Sequence, residues 1–266
     1  IPTIYSEDNT IWWDEDWDFR QQINIPINTS KGQAKFQPID ISVEFKNTCW
    51  AKNEKEHSIR VVFQQNEKSI ELESQIYDLN NTNGNSINRC NLVFLIPKEA
   101  NGKETYYIYY DDNEKTSTNY DDHVAIEESR YLYEPVQGLP FESRYFKITE
   151  EDNIIYAVAK DGKFLSYDIS QEITKLKPES KTVEPKNGDQ LASFFFTYWW
   201  KKNGDWCRSS TVENFESSKI FVDGELMVKF GIVSTSSDNK LKTTVIYKYY
   251  YCPTPDKRIY THVKHE

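Results

Sequence analysis

Two stretches decide the fold class of this chain: Trp17-Asp-Phe-Arg20-Gln-Gln-Ile23-Asn-Ile25, and the later Thr105-Tyr-Tyr-Ile-Tyr-Tyr110-Asp-Asp112. In both, bulky residues recur with a period of two, the signature of a strand buried on one face. Further strand-like runs lie between them at Ile39–Phe45, Ser58–Gln64, Ile70–Leu79 and Asn91–Ile96. Polar punctuation such as Asn80-Asn-Thr-Asn-Gly-Asn85 and Pro97-Lys-Glu-Ala-Asn-Gly102 separates these runs. With no amphipathic helix between strands, antiparallel pairing is expected rather than βαβ units. Residues 1–115 therefore read as a β-sandwich.

The segment Asp111–Asp122 is charged and free of aliphatics, which makes 111–124 the expected linker. Strands resume beyond it at Tyr145–Ile148, Ile154–Ala159, Phe164–Ile169, Leu191–Trp200, Lys219–Phe221, Glu225–Ser234, Leu241–Tyr251 and Arg258–Lys264. Gly162, Gly188, Gly204 and Gly224 are expected in turns, each beside an Asp. Only Ser170–Leu176 offers a helical option. The predicted fold is all-β: two antiparallel β-sandwich domains, the first jelly-roll-like and the second larger, spanning 125–266.

Composition agrees. The chain has 18 Tyr, 14 Phe and 7 Trp among 266 residues, residue types that fit a pleated, half-buried surface. Its net charge of -10 argues against nucleic acid, whose phosphates demand a basic footprint. The longest apolar run, Leu191–Trp200, is strand-length, well short of the roughly 20 residues that span a bilayer. The first residue is Ile rather than Met, which suggests a processed or trimmed product. Asn28-Thr-Ser30 and Asn80-Asn-Thr82 match the glycosylation sequon. Cys49 and Cys90 fall in one half, Cys207 and Cys252 in the other. Bridges within each half are expected if the chain is exported, with buried free thiols as the alternative.

Several of these blocks occur together in one family. Trp17, Phe19, Arg20, Ile23 and Ile25 are followed by Ser58-Ile-Arg60-Val-Val-Phe63, by Glu71-Leu-Glu-Ser-Gln-Ile-Tyr77, and by the Tyr106–Tyr110 strand. In that order they resemble a β-sandwich domain of unknown function found in archaeal and bacterial surface proteins, often beside polysaccharide-active or adhesive modules. Where the family has Gly-Asn after the tyrosine strand, this chain has Asp111-Asp112. The resemblance implies a concanavalin-type jelly roll, an association with carbohydrate and a secreted or cell-surface setting. The second half is similar, more distantly, to the sandwiches attached to polysaccharide lyases, through Asp223–Phe230 and the last strand, Arg258–Glu266.

Candidate chemistry follows from residue type. Arg258, Tyr260 and His262 share one face of a strand, and a base beside a cation is what a lyase uses on a uronate. Asp14, Asp16 and Asp18 alternate as hard oxygen ligands could for calcium, with Asp111, Asp112, Asp121 and Asp122 as a second set. Trp12, Trp13 and Trp17, and Trp199, Trp200 and Trp206, are candidates for stacking on sugar rings. Of these, Trp17 is expected in the core, and Trp206 with one of Trp199/Trp200 is expected to be exposed. Trp206, with Asp205, Arg208 and Trp200, is the predicted glycan contact, in a shallow groove. A non-catalytic glycan-binding or accessory role is thus expected. A polysaccharide-degrading enzyme and a structural envelope module are the alternatives.

Overall fold

The computed structural model describes residues 12–136, 139–164, 167–183, 188–193, 197–210 and 214–266. Every strand pairing within it is antiparallel, and no α-helix occurs among the described residues. The chain divides into two compact units. One holds the chain up to Asp121 together with Cys252–Asp256; the other holds Asp122–Tyr251 and Lys257–Glu266.

In the first unit the two stretches that open the sequence argument are neighbours. Strand β1 (Phe19–Ile23) pairs along its whole length with β7 (Thr105–Tyr110). Strand β7 also pairs with β3 (Ile59–Gln65), which forms a hairpin with β4 (Lys68–Leu72). The opposing sheet has the order β2 (Pro38–Trp50), β6 (Ser86–Leu95), β5 (Ser74–Asn83). First beside last in one sheet, and second beside next-to-last in the other, is how the outer turns of a jelly roll wind. The inner turns differ, because β3–β4 and β5–β6 are hairpins within single sheets, and the described residues of this unit hold seven strands, not eight. The run Ile70–Leu79, read as one strand, is split between β4 and β5 in different sheets.

Period-two burial builds this core. Ile59, Val61 and Phe63 of β3, Tyr106, Ile108 and Tyr110 of β7, and Cys90, Leu92 and Phe94 of β6 point between the sheets. Each fully buried aliphatic or aromatic side chain contributes about 1.5–3 kcal/mol. The alternate residues Val62, Tyr107 and Tyr109 face outward yet are also buried, under Trp17.

In the second unit β8 (Val124–Val136), β9 (Leu139–Glu150), β10 (Asn153–Phe164), β12 (Glu172–Leu176) and β13 (Gly188–Ser193) form one sheet, with β11 (Tyr167–Ile169) also on β10. The other sheet runs β16 (Asn214–Asp223), β17 (Met227–Thr235), β18 (Lys242–Tyr250), β19 (Ile259–His265). Their facing residues, among them Phe146, Val158, Phe230, Ile232 and Tyr247, make a second core. The helical option at Ser170–Leu176 is not taken, and two of the expected turns, at Gly162 and Gly188, lie in strands. Ser170–Leu176 is not helical: Gln171 takes a left-handed φ of 61° and β12 follows. Its buried amide Nε2 donates to Ser234 Oγ (3.0 Å) and its Oε1 accepts from Tyr247 OH (3.2 Å), bonds a helix would not place there. Asp161-Gly162 is no turn but lies within β10 beside a register shift, with Asp161 paired to Arg144 at 2.5 Å.

Candidate functional site

Strands β14 (Thr197–Lys202) and β15 (Asp205–Ser210) form a separate two-stranded hairpin. Its turn has left-handed values at both central residues, φ 53° at Asn203 and 94° at Gly204. That geometry suits the twist of a two-residue hairpin and favours Asn-Gly. Lys201 stands opposite Trp206, and Trp199 opposite position 208. Directly opposed residues share a face, so Trp199, Lys201 and Trp206 lie on one side and Asp205 on the other. Trp206 is 66% exposed and Trp199 59%. The Lys201 ammonium sits 5.2 Å from the centre of the Trp206 ring.

The expected exposure of Trp206 is therefore observed, while its expected partnership with Asp205 is not. Strand alternation turns adjacent residues apart. The side chains of Trp200 and Arg208 lie outside the described residues. What the hairpin does present is two exposed indoles on one face with a cation over one of them, a shelf suited to the apolar face of a sugar ring.

The amino-terminal tryptophans are engaged elsewhere. Trp17 is buried, as expected, with the guanidinium of Arg60 5.2 Å from its ring. Trp12 and Trp13 are half-buried and meet Tyr109 edge-on at 5.4 Å, and the backbone N–H of Trp13 donates to the Tyr109 hydroxyl (2.9 Å). These rings cover a sheet whose outer residues are themselves aromatic.

Nor do the alternating aspartates converge. Asp14 accepts a bond from the backbone N–H of Asp16 (3.0 Å), a local turn. Asp18 gathers instead with Asp111 and Asp112, their carboxylate oxygens within 4.8 Å of one another. Asp111 is fully buried and already neutralised by Lys115 at 2.9 Å. Burial pushes its carboxyl upward, but the N–H groups of Asn113 and Asp18 and the Lys115 ammonium outweigh this and hold it below the usual value. Its backbone also bonds Ser58 and Trp50. Asp111 is thus a structural pin, a role the tyrosine-strand motif does not reveal. Calcium takes six to eight oxygens, and three carboxylates with a lysine among them suit it poorly.

On β19, Tyr260 and His262 face outward, opposite Lys248 and Ile246. Tyr260 is 41% exposed and His262 is also exposed. Arg258 precedes the strand. The surface they share is open and gives no enclosure for proton abstraction. A cleft that sequence reasoning missed, about 260 Å³, is lined by Glu44, Phe45, Asn80, Asn88 and Arg89, where the registers of β2, β5 and β6 slip. Such slips carry no sequence signal beyond an Asn-rich stretch.

The expected bridges do not form: all four cysteines are free. Across β2–β6, Cys49 stands opposite Ile87 and Cys90 opposite Val43, so their thiols are not opposed. Burial pushes Cys49 up to about 12 and raises Cys90 too, leaving both as inert neutral thiols. Cys252 groups with the first unit and Cys207 with the second.

No protein-family model matches the chain, and no curated protein or solved structure does either.

Proposed function

We propose that this chain is a non-catalytic, glycan-binding β-sandwich region of a secreted or surface protein, with the β14–β15 hairpin as its sugar-stacking shelf. The observation that carries the reading is the exposure of Trp199 and Trp206 together on one hairpin face. Two large rings, each more than half exposed on the same hairpin face, form an apolar surface with a use. Lys201 supplies a donor for ring hydroxyls or a carboxylate. A lyase reading has less support, since Tyr260 and His262 sit on an open sheet face.

A glycan-array screen followed by calorimetry tests this. Trp206→Ala and Trp199→Ala should each weaken the best ligand about tenfold, the worth of one stacked ring. Unchanged affinity in both variants, or no glycan bound at all, overturns the proposal. Formation of unsaturated products from acidic polysaccharides, abolished in His262→Ala, would replace it with the lyase.

A further inference from the structure

The outward face of the β16–β19 sheet gathers cations in a chain that is acidic overall. Lys229 stands directly opposite Lys248, Lys248 opposite Tyr260, and Ile246 opposite His262. One row along, Lys219 stands opposite Gly231. From the Lys229 row to the Lys264 row, none of the outward positions on these strands is Asp or Glu. The carboxylates at the rim are paired, Glu266 with Lys264 at 2.7 Å and Glu216 with Lys242 at 3.3 Å. The whole chain carries 42 acidic against 32 basic residues, so the face is strongly selected in sign.

Directly opposed residues on antiparallel strands lie side by side on one face, so Lys229 and Lys248 present adjacent ammonium groups that one polyanion can meet together. The aromatic residues of the face are also laid out for contact. Gly231 has no Cβ, and a Cβ there would meet Ile246 Cδ1 at 2.9 Å and the Phe221 ring at 3.0 Å, so Phe221 and Ile246 share the space over its backbone. Phe221 is 43% exposed, with the ammoniums of Lys219 and Lys229 at 5.4 and 5.7 Å from its centre. Tyr260 occupies the opposite edge strand, three strand intervals or about 14 Å away.

We infer that this face binds an acidic polysaccharide. Its repeating carboxylate or sulfate groups meet Lys219, Lys229, Lys248 and His262, and its ring faces lie on Phe221 and Tyr260. A ladder of lysines flanked by flat rings complements a polymer that repeats both an anion and a ring. Nucleic acid fits less well, because the face carries no arginine and the remaining charge of the chain repels a phosphate backbone. A membrane surface fits less well too, since binding there buries an apolar face rather than a flat lysine ladder. The inference stands apart from the tryptophan shelf.

The test is affinity electrophoresis and calorimetry of the full chain with polygalacturonate and with heparin at physiological ionic strength. Lys229→Glu/Lys248→Glu should bind about tenfold more weakly, and Phe221→Ala should also weaken binding. Lys248→Gln should also bind less tightly, since it removes one of the opposed ammonium groups. Lys98→Glu, at an exposed lysine of the first unit, should bind these polymers as the parent chain does. Full affinity in the double variant overturns the inference, as does absence of binding in the parent chain. Equal binding of oligo(dT) or phosphatidylserine vesicles overturns the polysaccharide assignment. Loss confined to Trp206→Ala moves the acidic polymer to the shelf and overturns this face alone.

Discussion

His57 sits just ahead of β3 in the first unit, 3% exposed, and its Nδ1 has no hydrogen-bond partner. Burial, with the nearby positive charge of Arg60, drives its imidazole down from 6.5 to about 3. The folded protein therefore holds it neutral where the unfolded chain protonates it. The associated stability is fully present above the unfolded value of 6.5 and is lost as the pH falls from there towards 3. At about 1.4 kcal/mol per pH unit, going from pH 7 to pH 5 removes roughly 2 kcal/mol through this residue alone. His57→Leu takes away both the titration and the orphaned nitrogen. Urea unfolding followed by tryptophan fluorescence at pH 7 and pH 5 should show the parent losing about 2 kcal/mol more than the variant. His57→Gln, polar but not titratable, should follow the leucine variant. Equal losses in parent and both variants would refute the claim that this imidazole is kept neutral by the fold.

Arg60→Met should cost about 3 kcal/mol in the same assay, the lower end for a broken buried ion pair. Its side chain donates to the Ile59 (2.8 Å) and Thr116 carbonyls and pairs with Glu71 at 3.3 Å, but Glu71 is a third exposed and can rehydrate. A loss under about 1 kcal/mol, no more than one ordinary hydrogen bond contributes, would show that the guanidinium is not the pin it resembles. Thiol titration of the native chain should label Cys207 and Cys252, half-buried, well before the buried Cys49 and Cys90, which should react only on unfolding; early labelling of Cys90 would contradict its place in the core. Trp206→Ala should leave stability within about 0.5 kcal/mol, since most of the ring is already in water, and a larger drop would make it a packing residue.

Fold class was legible because period-two patterns are local. Ile59, Val61 and Phe63 announce their shared face within five residues, and burial in the structure follows them. Pairing was not legible, since nothing local to Phe19 says that Tyr110 lies beside it. The splitting of Ile70–Leu79 escaped for a similar reason: one apolar run can feed two sheets, and only tertiary packing decides where the chain crosses. The disulfide expectation rested on which half each cysteine occupies, whereas a bridge requires opposed thiols, and the β2–β6 register sets Cys49 and Cys90 against other residues.

Candidate sites divide along the same line. A tryptophan beside an Asn-Gly turn can be read as exposed from its own neighbourhood, and Trp206 is exposed. Its companions cannot be read that way. In a strand the residue next in sequence points to the opposite face, so Asp205 is the wrong neighbour, and the right ones, Lys201 and Trp199, come from across the hairpin. The basic face makes the point more sharply. Lys219, Lys229, Lys248 and His262 come from four strands spread over 44 positions of sequence, each residue an ordinary polar step in an alternating run. Only the registers 219/231, 229/248 and 246/262 bring them to one surface and keep carboxylates off it. For a β-sandwich whose candidate sites lie on open faces, chemistry is a property of register, and the residues worth mutating first are those opposed across strands.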